Sequence, residues 1–232
     1  MSDRIHMWTF VVLGAVVALH VAGGANPALA QPLNETAKLV PSDGAQDDNS
    51  GYSVAISGDT AVVGAYADDD NGSSSGSAYV FRYNGSSWAE EQKLLASDGE
   101  ANDYFGHAVA ISGDTAVVGA YGDDDNGSSS GSAYVFRYNG SNWSEEQKLL
   151  AFGGGVGDQF GYSVAISGDA IVIGAPYDDD NGSNSGSAYV FRYTGGNWML
   201  QAMLLASDGE ANDYFGRAVA ISGDTAVVGA YA

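Results

Sequence analysis

The chain has no cysteine, which excludes disulfides, iron–sulfur clusters and thiolate zinc sites. It is also poor in positive charge: 8 Lys and Arg stand against 29 Asp and Glu, a formal net charge of −21 over 232 residues. Such a surface repels phosphate backbones and anionic lipid, so nucleic acid and acidic membranes are poor partners for it, and neither is expected. Metal cations, basic protein surfaces or simple solubility remain. Histidine is scarce too, and beyond His20 only His107 is left. No window carries a sustained 3.6-residue period, so no helix is expected. With 45% hydrophobic residues there is nonetheless material for a core.

What is present is a repeat. Gly51-Tyr52-Ser53-Val54-Ala55-Ile56-Ser57-Gly58-Asp59 returns at Gly106, Gly161 and Gly216, each time after 55 residues. Gly51–Phe105 and Gly106–Phe160 are identical at 44 of 55 positions, and Leu94–Tyr121 recurs at Leu204–Tyr231 with one change, His107 for Arg217. A fixed period of this kind describes one supersecondary unit copied side by side, each burying its apolar face on its neighbours. Function is then expected in the loops that the units share.

Residues 1–30 differ in composition from the rest. Trp8–Gly24 is apolar and Ala28-Leu29-Ala30 has the small-x-small pattern of a signal-peptidase site. The expectation is a signal peptide cleaved near Ala30. The mature chain, 31–232, would then be secreted, periplasmic or on the cell surface, without membrane insertion. An uncleaved anchor is the alternative.

Each unit divides into four strand-like runs. In the first unit these are Tyr52–Ser57, Thr60–Tyr66, Ala78–Tyr83 and Trp88–Ala96. Gly58-Asp59 suits a type II′ hairpin turn and Asn84-Gly85 a type I′ turn. The second run, rich in Ala, Val and Gly, suits a crowded inner strand. Longer loops, Asp68–Gly76 and Ser97–Tyr104, make the other two connections. Four antiparallel strands per unit predict an all-β fold, a β-propeller of four-stranded antiparallel blades. The blades span about 51–105, 106–160 and 161–215, with a partial one at 216–232, some 3.5 blades in all. That falls short of a usual ring, so either the sequence is part of a longer protein or chains self-associate to complete the propeller.

Successive connections of a meander alternate ends, so the two tight turns share one face and the two long loops the other. Most acids of a unit lie in the long loops, which gathers negative charge on one face. Asp98, Glu100 and Asp103, with Asp208, Glu210 and Asp213, are the expected partner-binding residues of that face.

The strands resemble the FG-GAP repeat, the blade unit of integrin alpha-subunit propellers. The resemblance rests on Phe160-Gly161 with Gly174-Ala175-Pro176, Phe105-Gly106 with Gly119-Ala120-Tyr121, and Phe215-Gly216 with Gly229-Ala230-Tyr231. The first unit has Ser50-Gly51 instead. The resemblance implies a propeller that meets partners on its long-loop face. Integrin-like members carry a calcium loop between the first two strands, but here that place is the tight turn Ser57-Gly58-Asp59-Thr60. A different acidic loop is present: Asp68-Asp69-Asp70-Asn71, repeated as Asp123-Asp124-Asp125-Asn126 and Asp178-Asp179-Asp180-Asn181, each followed by Gly. These oxygens are candidate calcium ligands. Equally, exposed carboxylates ~4 Å apart repel by only about 1 kcal/mol in water and need no cation.

Nothing in the pattern points to catalysis. His107 is replaced by Tyr52, Tyr162 and Arg217 in the other units, unlike a general base, and reads as a solvated loop-edge residue. Tyr79, Phe81, Tyr83 and Trp88 read as inter-blade core rather than a sugar platform. The expected function is a non-enzymatic binding or adhesion module for a protein or glycan, with calcium as the candidate cation. A structural spacer, or an accessory domain of a larger exported protein or enzyme, is the alternative.

Overall fold

The computed structural model describes residues 6–12, 15–21 and 35–231. Among them there is no helix, and the strands fall into antiparallel sheets. Strands β1 (His6–Val12) and β2 (Ala15–Val21) form a hairpin, and β2 pairs with β3 (Ala37–Leu39). This hairpin lies within the segment read as a signal peptide, while the cleavage motif Ala28–Ala30 is outside the described residues. No helix of the described residues is long and apolar enough to cross a membrane.

Three four-stranded meanders follow. The first is β4 (Ser53–Ser57), β5 (Thr60–Ala65), β6 (Ser77–Tyr83) and β7 (Trp88–Leu94). The second is β8 (Ala108–Ser112), β9 (Thr115–Ala120), β10 (Ser132–Tyr138) and β11 (Trp143–Leu149). The third is β12 (Ser163–Ser167), β13 (Ala170–Ala175), β14 (Ser187–Thr194) and β15 (Asn197–Leu204). A two-stranded sheet, β16 (Ala218–Ser222) and β17 (Thr225–Gly229), ends the series. The first strands lie side by side, β4 on β8, β8 on β12 and β12 on β16, as the inner strands of propeller blades do. The fold is a β-propeller array of about 3.5 blades.

Sequence chemistry accounts for the strand roles. β5, β9 and β13 are buried at every residue, and Ala, Val, Ile and Gly let them sit between two strands and two neighbouring blades. The strand nearest the axis is the first of each unit, so the crowded second strand is enclosed rather than innermost. The aromatic stripe forms core as expected. Tyr79 and Phe81 pack with Leu39, and Tyr134, Phe136 and Trp143 pack across the next blade interface with Val62, Val80 and Leu94. The third interface repeats this with Tyr189, Phe191 and Trp198.

Two turns test the local reading. Ser57 pairs with Thr60, and of the two residues between them only Gly58 has a positive φ, +58°, as a type II′ turn requires. Asn84-Gly85 does not form the type I′ turn. Asn84 lacks a positive φ, and its Oδ1 instead accepts from the N–H groups of Ser86 and Ser87, both at 3.0 Å, closing a four-residue loop between the paired Tyr83 and Trp88. The side-chain acceptor offers the backbone a competing arrangement. The type I′ pattern does occur in the third blade, where Gly195 and Gly196 both have positive φ between the paired Thr194 and Asn197.

Blades meet through glycine. Within one blade the N–H of Gly106 donates to the carbonyl of Gly119 at 3.0 Å. A Cβ on Gly119 would lie 2.0 Å from the carbonyl oxygen of Gly161 in the next unit, and one on Gly64 would lie 1.9 Å from that of Gly106. Phe105 and Phe160, next to Gly106 and Gly161 and each fully buried, pack edge-on against Tyr134 with Phe136 and against Tyr189 with Phe191. The Phe-Gly and Gly-Ala pairs of the repeat are therefore its joint.

Candidate functional site

The two long loops of a unit run together as the meander requires. Asn102, Tyr104 and Phe105 donate backbone hydrogen bonds to Ser73, Ser74 and Ser75, and Gly76 bridges Phe105. Acidic side chains from both loops therefore share one face, but they do not behave alike. Asp69 and Asp70 are exposed, as are Asp124, Asp125, Asp179 and Asp180, whereas Asp68, Asp123 and Asp178 are buried.

The buried aspartates have protein partners. Lys93 Nζ lies 3.1 Å from Asp68, 2.6 Å from Asp70 and 3.0 Å from Asp43, whose counterpart in the next unit is Asp98. The Tyr79 hydroxyl is 2.9 Å from both Asp43 and Asp68. The second blade repeats the cluster: Lys148 Nζ is 2.7 Å from Asp123, 2.7 Å from Asp125 and 2.8 Å from Asp98. Burial alone would raise the pKa of Asp98, but hydrogen bonds from Lys148 and Tyr134 and the lysine's charge outweigh it and hold the carboxyl below its usual range. Burial likewise works against the Lys148 ammonium, and the three aspartates overcome it, so its pKa is raised. In both blades an ammonium stands where the carboxylates converge.

The third blade lacks this arrangement. Met203 replaces the lysine and Gly153 replaces the outer aspartate. Asp178 Oδ2 accepts from Ser187 and Tyr189 at 2.8 and 3.0 Å, and repulsion from Asp178, with some burial, raises the pKa of Asp180. Asn71 and Asn181 turn toward backbone carbonyls of Ala96 and Ala206, while Asn126 donates its backbone N–H to Ser130. Asp69 accepts the Ser74 N–H at 2.7 Å and Asp179 the Asn184 N–H at 2.6 Å. Among the described residues no group of three or more His, Asp or Glu side chains is placed to hold a metal ion.

Of the expected partner face, Asp98, Glu100, Asp208 and Glu210 are exposed, Asp213 is half-buried and Asp103 is buried. Asp103 accepts the Glu100 N–H at 2.7 Å. Burial, helped by the neighbouring Asp123 and Asp124 charges, pushes its carboxyl up to about 6.

One site escaped the sequence reading. Tyr52, Tyr66, His107, Tyr121, Gln159, Tyr162 and Tyr177 line a cleft of about 320 Å³ at the long-loop ends of the inner strands. His107 is not solvated as its interchange between units suggested. Its ring centroid lies 4.6–5.9 Å from those of Tyr52, Tyr66, Tyr121 and Tyr162, and its Nδ1 is buried without a partner. Burial lowers the imidazole pKa, although a backbone hydrogen bond at Tyr162 pulls the other way. The missed signal was the pairing of Tyr52 with Tyr66, which bound the first two strands of a unit at the same end.

The FG-GAP repeat model matches residues 33–81, 88–136, 143–191 and 198–232, and the chain belongs to that family. The matches 88–136 and 143–191 each begin at the outer strand of one blade and end in the third strand of the next, so the family repeat is offset from the blade. No curated protein matches. Among solved structures, Sqt1 of Saccharomyces cerevisiae is similar at 9% identity and a TM-score of 0.45, over 72% of this chain. The chain spans 38% of that structure's length.

Proposed function

We propose that this chain is a non-enzymatic binding module of an exported protein, and that it engages a protein or glycan partner through the acidic long-loop face. The observation that carries the reading is the division of labour within each loop. In the first two loops one aspartate is buried and fastened by Lys93 or Lys148, and this presents Asp69 and Asp124 outward on a rigid base. A fixed array of one sign favours a partner with a basic or polar surface. Calcium enters the proposal at the third loop alone, where Asp178 and Asp180 have no lysine between them. Replacing Asp69 and Asp124 by Asn leaves both lysine clusters in place and keeps an oxygen for the Ser74 N–H. Loss of partner capture by that variant, with an unchanged melt, supports the binding module. Undiminished capture would favour the spacer.

A further inference from the structure

The tyrosine-lined cleft is a second feature of the long-loop end, distinct from the acidic rim. Its lining carries five phenol rings, one imidazole and one amide, and no carboxylate or ammonium. Burial raises the pKa of Tyr121 to about 12 and keeps the His107 imidazole low, so at neutral pH the walls are uncharged. Tyrosine faces attract cations through the ring quadrupole, and the whole chain, at −21, adds a negative field.

The repeat supplies its own comparison. Tyr52, His107, Tyr162 and Arg217 occupy one equivalent position in the four units. Where that position is Arg217, the guanidinium carbon lies 5.4 Å from the Tyr162 ring centroid and 5.3 Å from that of Tyr231. At this one place the groove between adjacent units thus holds a cation against two tyrosines. In the cleft the equivalent side chain is the uncharged His107, whose ring centroid lies 5.0 Å from that of Tyr52 and 4.6 Å from that of Tyr121, so the cleft holds no cation of its own while Tyr52 remains 57% exposed. From the rings, the volume and the field together, we infer that this cleft binds a small organic cation with a methylated ammonium head. Methyl groups spread the charge over a surface that packs on aromatic faces, and such a head loses less hydration than a primary ammonium. A cleft of about 320 Å³ is at the small end of ligand sites and suits such a molecule.

The test is calorimetric titration of the full chain with choline and with 3,3-dimethyl-1-butanol, its uncharged isostere. Choline should bind at least about tenfold more tightly, a difference of ~1.4 kcal/mol. Tyr121→Ala and Tyr162→Ala should each abolish the heat while the circular dichroism and melt stay close to those of the parent. Should either fail to fold, the exposed Arg217 provides an independent arm. Arg217→Ala frees one face of Tyr162 and removes a like charge from the rim, so choline should bind severalfold more tightly. Equal affinity for the isostere, weaker choline binding by Arg217→Ala, tighter binding of arginine amide than of choline, or binding of methyl glucoside alone would each overturn the assignment. The acidic-rim variant Asp69→Asn with Asp124→Asn leaves the cleft residues untouched, so the two readings fail separately.

Discussion

Lys148 holds its ammonium nitrogen 2.7 Å from the buried carboxylate of Asp123, and one unit later Met203 stands in its place. The array therefore contains both the fastened and the unfastened version of one loop. Lys148→Met should cost about 2–4 kcal/mol, because Asp123 would be left buried beside Asp98 and Asp125 without its cation. The half-exposed Asp98 and Asp125 keep the figure below that of a wholly buried network. Adding Asp98→Gly, which copies Gly153, should recover about 1 kcal/mol of it. A double-mutant cycle in urea measures this coupling, and strict additivity would refute the shared cluster.

The glycine joint allows a sharper test. Gly119→Ala would drive a methyl group to 2.0 Å from the Gly161 carbonyl oxygen, backbone against backbone. The expected loss is about 3 kcal/mol or more. Gly155→Ala is the control: its nearest atoms lie at 3.6 Å or beyond, and the change should stay within about 0.5 kcal/mol. Equal stability of the two variants by chemical denaturation would contradict the close approach.

Asp103 gives a dependence on pH. Its folded carboxyl titrates near 6 against a reference of 3.8, so between these values the folded state holds a proton that the unfolded state has released. Its contribution to stability is thus fullest at the acid end and declines as pH rises from about 4 to 6. Asp103→Asn mimics the neutral acid and keeps an oxygen for the Glu100 N–H. The variant should be more stable than the parent by about 1–2 kcal/mol at pH 7.5 and nearly equal to it at pH 4. Urea titrations at the two pH values decide the matter, and a benefit that is larger at pH 4 would reverse the assignment.

Calcium, if it binds the third loop, should raise the melting temperature of the full chain relative to a chelator. At a hundred times its dissociation constant a cation bound only to the folded state adds ~2.7 kcal/mol. The shift should vanish in Asp178→Asn with Asp180→Asn and survive Asp70→Asn. An unchanged melt of the parent would remove calcium from the proposed function.

The blade was legible in the sequence because its signals are local and repeated. The alternation of Tyr79, Phe81 and Tyr83, the Gly58 turn and the constant 55-residue step each specify geometry without distant contacts. The lysine clusters were less legible, since Lys93 lies 25 residues from Asp68 and 50 from Asp43. Their trace was nonetheless present: unit three loses the lysine and the outer aspartate together, at Met203 and Gly153. The cleft was hidden for a different reason. Its lining comes from the ends of several strands in three units, and only packing of the inner strands brings Tyr52, His107 and Tyr162 beside one another. The Asn84 loop shows the remaining limit, where a side-chain oxygen competed successfully with the turn that its dipeptide favours.

The close approaches of Gly64 to Gly106, Gly119 to Gly161 and Gly174 to Gly216 are of main chain to main chain, and among the described residues the only side-chain hydrogen bonds at these carbonyls come from the repeat's own Ser53 and Ser163 hydroxyls, at 2.7 Å. A joint of this kind is indifferent to which copy stands on either side of it. A duplicated unit could join the series without new side chains evolving to receive it, which fits the near identity of Leu94–Tyr121 and Leu204–Tyr231. Rim residues such as Tyr52, His107, Tyr162 and Arg217 lie outside the joint and are free to diversify. Growth by copying and variation at the rim are thus governed by separate sets of atoms.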